Sequence, residues 1–286
     1  MTDQPPAVSS DERARPLGGR VAVVTGGGRG VGRAIVRALA RAGAVVLAAA
    51  RTEAELAATV ALVAADGGAA HARPVDVTDR AAVEALVAGA VSEFGAVDVL
   101  VNNAGSFAAL GPVWAVEPEA WLRDVTTNLY GPFLCARAVL PHMRARRRGV
   151  ILNLAGGGAI GAAPNFTGYG SSKAGILRFT ESLAKEVAPD GVFVYALNPG
   201  LVRTAMTEAL LAHPEVGTYN AGFVARMAGG HDVPPERAGD LAVFLAGLRD
   251  PRLSGRLFDV NWDYATLPER AETIARDELQ LLRLRR

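Results

Sequence analysis

Short runs of aliphatic and β-branched residues alternate along this chain with longer segments whose apolar positions recur three and four apart, and glycine, asparagine or aspartate stands at most junctions. The first kind predicts buried strands and the second amphipathic helices. Residues 21–24 form the first strand, end in a glycine cluster and lead into a helix over 34–42. A strand at 45–48 and a helix over 53–65, stopped by Asp66-Gly67-Gly68, come next. The rhythm continues with a strand at 72–77, a helix over 80–94 closed by Gly95, and a strand at 97–101 running into Asn102-Asn103. A long helix over 118–140 contains Pro132. Strand 150–154, loop 155–168, helix 169–188, strand 192–197, helix 237–248 and strand 257–260 complete the series. Strands apolar on both faces and separated by helices predict one α/β domain, a doubly wound parallel sheet of about seven strands.

Three segments fall outside that rhythm. Residues 1–17 carry Pro5, Pro6, Ser9 and Ser10 and read as a flexible tail ahead of a domain over 18–264. Residues 203–236 hold Gly217, Gly222, Gly229, Gly230, Pro234 and Pro235, which suits a substrate lid. Residues 265–286 read as a helical extension with a basic end, suited to packing on a neighbouring subunit.

Composition narrows the chemistry. Of 286 residues, 50% are hydrophobic and 21% charged, enough for a substantial core, and the net charge of +1 points to neither nucleic acid nor an anionic membrane. The single Cys135 excludes an internal disulfide framework, and His71, His142, His213 and His231 lack metal-ligand spacing. Neither a signal peptide nor a membrane span is predicted, so a cytoplasmic protein without bound metal is expected. The basic cluster Arg144, Arg146, Arg147 and Arg148 falls at the end of the long helix, where cations complement the helix dipole.

Tyr169 and Lys173 stand four apart, on one face of their predicted helix. A nearby ammonium favours phenolate, which would bring a phenol of pKa roughly 10 toward useful range. Thr25-Gly26-Gly27-Gly28-Arg29-Gly30-Val31-Gly32 joins the first strand to the first helix. Glycines there allow a tight turn and close approach to a diphosphate, with the helix N-terminus favouring the anion. No carboxylate follows the second strand to bond ribose hydroxyls; Arg51 does, with Arg29 as a second cation, so NADP(H) is preferred, while Glu53 keeps NAD(H) open.

Together, residues 25–32, Asn102-Asn103-Ala104-Gly105, Asn128, Tyr169 to Lys173 and Asn198-Pro199-Gly200 resemble, in order and spacing, the classical short-chain dehydrogenase/reductase family over about residues 19–260. The resemblance implies a Rossmann-type fold, a small-molecule carbonyl or alcohol substrate, and a homotetramer or homodimer. It implies that Tyr169 is the acid/base, Lys173 its partner on the nicotinamide ribose, and Asn128 the holder of a relay water. Asp76 and Val77 would meet the adenine, Asn103 to Gly105 the adenosine ribose, and Pro199, Gly200, Val202 and Thr204 the nicotinamide.

One family residue is missing. The family's substrate-binding serine lies about thirteen residues before the tyrosine, which here is Gly156, flanked by Ala155 and Gly157. Ser106, Asn165 and Thr167 are the nearest substitutes. Losing one preorganised donor costs about 100- to 1000-fold in turnover. Besides an NADP(H)-dependent oxidoreductase, two readings therefore stay open: a dinucleotide-binding protein without redox activity, and a dehydratase- or epimerase-like enzyme using Tyr169 as base.

Overall fold

The computed structural model describes residues 15–282. Seven parallel strands form one sheet in the order β3-β2-β1-β4-β5-β6-β7. They are β1 (Val21–Thr25), β2 (Val45–Ala50), β3 (Ala69–Pro74), β4 (Val99–Asn102), β5 (Gly149–Leu154), β6 (Val192–Asn198) and β7 (Leu257–Asp259). Strand order reverses direction between β1 and β4, and the carboxyl ends beside that reversal are where open α/β sheets bind ligands.

Period-two alternation sorts the strand residues onto two cores. Ala22 and Val24 of β1 and Val46 and Ala48 of β2 join one cluster with Ile35 and Leu39 of α1 (Gly30–Arg41). Val21, Val23, Leu47 and Ala49 point the other way. There they meet Val83 and Leu86 of the helix Arg80–Phe94, with Val139 and Leu183 from two later helices. Both faces are covered, as the uniformly apolar strands require.

Element bounds differ from the sequence reading in instructive ways. The third strand ends at Pro74, not at 77; proline has no N–H to continue the ladder, although Val75 N–H still reaches Ala50 O at 2.9 Å. The long helix is divided into Pro118–Val125, a π turn Thr126–Tyr130 and Gly131–Ala145. Numbering continues as α2 (Glu53–Ala65), α3 (Arg80–Phe94), α4 (Pro118–Val125), α5 (Gly131–Ala145) and α6 (Thr167–Val187). The stretch 203–236 is built from α7 (Ala205–Leu211), α8 (Val216–Tyr219) and α9 (Ala221–Ala228), before α10 (Glu236–Gly247).

Both ends of the domain are corrected. Leu17, assigned by sequence to the tail, is fully buried and its N–H bonds Ala42 O at 2.9 Å; residues 1–14 lie outside the described residues. Of the C-terminal extension, only α11 (Ala271–Arg276) is α-helical among the described residues, preceded by a short 3-10 turn Tyr264–Thr266. Positive φ at Glu278 and Gln280 ends helical continuation. Leu267, Ala271 and Ile274 join the chain's own core, and Leu257 N–H bonds Gln280 O at 3.0 Å. The extension thus packs on the domain it follows.

Candidate active site

The strand ends around the β1/β4 reversal open into a cleft of about 600 Å³. Its floor begins at the glycine turn. A Cβ on Gly26 would press on Asn103 Nδ2 and Ala104 Cα at 2.7 and 2.9 Å, and one on Gly32 would overlap Gly26 O, so these positions exclude any larger residue. Asn103 Nδ2 donates to Thr25 O at 2.9 Å and Gly26 O at 3.2 Å, fastening the loop after β4 to the loop after β1. Arg33 Nε donates to Gly28 O and Thr59 Oγ1, each at 3.0 Å, which secures the outer side of the turn. The first turn of α1 carries no acidic residue, leaving its N-terminus suited to an anion.

At one end of the cleft stand Arg29, Arg51 and Asp76. Burial works against the Asp76 carboxylate, but the Thr78 amide and hydroxyl, at 2.9 and 2.8 Å, and the nearby Arg51 charge prevail and lower its pKa. Arg29 is ion-paired to Glu55 at 3.1 Å. Glu55, not the Glu53 considered from sequence, is the glutamate that lines this end. At the other end Tyr169 and Lys173 share the cleft with Leu154, Ala155, Pro199, Thr204 and Met206. Gly30, Val31, Val77, Ala104 and Gly105 also line it.

Other residues singled out from sequence serve from behind the wall. Gly200 has φ +73°, and Val202 is buried with its carbonyl accepting from Thr207 Oγ1 at 3.0 Å; neither lines the cleft. Asn128, buried in the π turn, accepts from Ser106 N–H at 2.8 Å and donates to Ser106 O at 2.9 Å and Ser172 Oγ at 3.0 Å. Its polar atoms are engaged with the chain itself. Two of the three substitutes for serine are likewise committed: Ser106 Oγ donates to Asp124 at 2.7 Å, and Thr167 Oγ1 accepts from Trp121 Nε1 at 3.2 Å. Neither lines the cleft, and nor does Asn165, whose Nδ2 bonds Tyr219 O.

The Tyr169–Lys173 pair departs from the expectation of a lowered phenol pKa. Burial, reinforced by the Asp124 charge, pushes Tyr169 up to about 12. Burial brings Lys173 down to about 8, against the opposite pull of Asp124. Lys173 Nζ donates to Leu154 O at 2.8 Å and lies 5.7 Å from the Tyr169 ring centroid, so it does not offset the desolvation of the phenol. Tyr169 is therefore protonated at neutral pH. A Cβ on Gly156 would overlap the Tyr169 hydroxyl and come within 3.7 Å of Lys173 Cε. The hydroxyl occupies room that only glycine leaves.

Asp124 was missed by the sequence reading, although its position four residues before Asn128 puts the two on one helix face. The basic cluster after α5 is consumed structurally: Arg146 and Arg148 reach buried Asp98 at 3.3 Å and Arg144 reaches Asp190 at 2.5 Å. Among the described residues there is no cluster of three or more metal-ligating side chains, and no helix is long and apolar enough to cross a membrane.

This fold and motif order belong to a known class. The profile of the short chain dehydrogenase family matches residues 20–215, and the chain belongs to that family. It is 35% identical over 247 residues to the 3-oxoacyl-acyl-carrier-protein reductase FabG of Vibrio cholerae, covering 86% of this chain and 97% of the relative. It is 39% identical over 199 residues to the NAD(+)-dependent 2-dehydro-3-deoxy-L-rhamnonate dehydrogenase of a Sphingomonas species, covering 67% and 76%. A crystal structure of a variant actinorhodin polyketide ketoreductase with NADPH superposes with a TM-score of 0.76 at 33% identity, covering 84% of this chain and 95% of that one.

Proposed function

We propose that this chain is an oxidoreductase that uses NADP(H) to interconvert a carbonyl and a secondary alcohol, with Tyr169 transferring the proton. The observation that carries the reading is one cleft holding the glycine turn, Asp76, Asn103 to Gly105 and the Tyr169–Lys173 pair in continuous succession. The turn fits a dinucleotide diphosphate, since its glycines leave backbone exposed where side chains would intrude. When bound, the reduced dinucleotide supplies hydride to the carbonyl carbon. Tyr169 gives its proton to the carbonyl oxygen, the role for which a phenol still protonated at neutral pH is suited. Lys173 Nζ lies 5.7 Å from the centre of that ring, a cation beside the developing phenolate.

The preference for NADP(H) rests on Arg29 and Arg51 at the adenosine end. NADPH bound to the ketoreductase supports it, while the Sphingomonas relative is named for NAD(+). Titration calorimetry tests it: NADPH is expected to bind at least tenfold more tightly than NADH, with the preference falling in Arg51→Ala. Equal affinities would overturn it.

Gly156 stands where the family resemblance calls for serine, and this carries a second reading, a dinucleotide-binding protein without redox turnover. Tight NADPH binding without turnover on a panel of ketones, aldehydes and alcohols would select it. A dehydratase- or epimerase-like activity would form product with unchanged nicotinamide absorbance. We also propose a homotetramer or homodimer: Tyr130 and Phe133 are 45% and 42% exposed, with rings stacked at 5.9 Å beside the π turn. Light scattering is expected to give a multiple of 29.7 kDa, and Tyr130→Glu to lower it; a monomeric wild type would contradict the assembly.

A further inference from the structure

Of the eight residues in α4, only Asp124 is fully buried. A carboxylate removed from water is costly unless donors replace the solvent. Three do: Ser106 Oγ–H and Ala108 N–H reach Asp124 Oδ1 at 2.7 Å each, and Ala109 N–H reaches Oδ2 at 3.1 Å. All three donors come from the loop that leaves β4 past Gly105. The residue held between them is Phe107, whose ring lies 4.6 Å from that of Tyr169 and 4.9 Å from that of Phe166.

We propose that Asp124 is a positioning residue of the catalytic centre, locking residues 106–109 so that Phe107 rests on Tyr169 and one buried negative charge faces the Tyr169–Lys173 pair. The inference rests on the reading of Tyr169 as the proton-transferring group. The charge acting on the pair from outside it is Asp124 on α4, while Asp76, Glu119 and Arg123 line the same cleft. Burial dominates at both groups; the field of Asp124 adds to the rise at Tyr169 and opposes the fall at Lys173. An aspartate therefore does two things here that an uncharged residue of the same shape does only in part: it tethers the loop, and its charge supports the Lys173 ammonium.

The test needs no turnover. The chain contains two lysines, Lys173 and the exposed Lys185, so the carbon-13 ε signals of labelled protein report each one separately, with Lys185 as internal reference. In wild type the Lys173 signal is expected to titrate near 8. In Asp124→Asn its midpoint is expected to fall by roughly one unit, with hydrogen exchange at the amides of Ala108 and Ala109 faster by about tenfold. Ser106→Ala keeps the charge and removes one tether, so it is expected to leave the midpoint in place and to speed exchange. A Lys173 midpoint unmoved in folded Asp124→Asn overturns the proposal. Should that variant not fold, wild-type exchange rates in Ser106→Ala overturn it instead. Loss of the Tyr169 reading would show separately, as full turnover in Tyr169→Phe with these titrations unchanged.

Discussion

Gly156 and Lys173 are the residues at which local chemistry makes the sharpest demands. Because the Tyr169 hydroxyl fills the space a Cβ would need, Gly156→Ser is expected not to restore a missing donor but to displace Tyr169, lowering kcat by about tenfold or more with NADPH affinity retained. A rise in kcat would contradict this. Lys173 gives a pH prediction. Its pKa falls from 10.5 to about 8 on folding, so between those values the unfolded chain holds a proton that the folded chain has lost. Stability contributed by this group therefore rises with pH across that window, after the buried charge has imposed its full cost below it. Relative to Lys173→Met, wild type is expected to gain roughly 3 kcal/mol between pH 8 and 10.5. Urea unfolding of both proteins at several pH values measures the difference; a constant gap would contradict the lowered pKa. The raised pKa of Tyr169 acts above pH 10 with the opposite sign and is common to both proteins.

The π turn Thr126–Tyr130 shows how an element shapes a site from behind its wall. Widening the helix by one residue is a frequent device at functional sites. Here the turn carries buried Asn128, whose side chain joins the Ser106 backbone to Ser172 on the helix bearing Tyr169. Asn128→Ala would leave Ser106 N–H and O without partners, a loss expected to cost roughly 2 to 4 kcal/mol in chemical denaturation. A change below 1 kcal/mol would mean that water restores those bonds. The sequence resemblance implies a relay water on Asn128; what the geometry displays is a brace from the π turn to one loop and one helix.

At the scale of the whole molecule, the parallel sheet was legible because residues 21–24 and Val45–Ala50 are apolar at every position, as a sheet covered on both faces requires. The cleft-lining position of the glycine turn, Asp76 and Asn103 was legible for a related reason: it follows from the strand ends that carry them. Asp124, Glu55 and the engagement of Ser106 and Thr167 were not. Each depends on contacts between segments far apart in the chain, such as Trp121 with Thr167, which no periodicity encodes. The packing of the C-terminal segment was not legible for the same reason, since its apolar residues read alike whether they meet a neighbour or their own domain. Deleting residues 265–286 removes buried Leu267 and Ile274 and is expected to cost roughly 3 to 6 kcal/mol, seen as a clear fall in Tm. An unchanged Tm would return the segment to the role of a detachable appendage.

Proton transfer by Tyr169 can be measured most directly by comparing wild type with Tyr169→Phe in NADPH oxidation against a carbonyl panel, with NADPH affinity determined in parallel. The account predicts turnover in wild type, a loss of about a thousandfold or more in the variant, and NADPH affinity within a few fold of wild type. Turnover in Tyr169→Phe equal to wild type would contradict it.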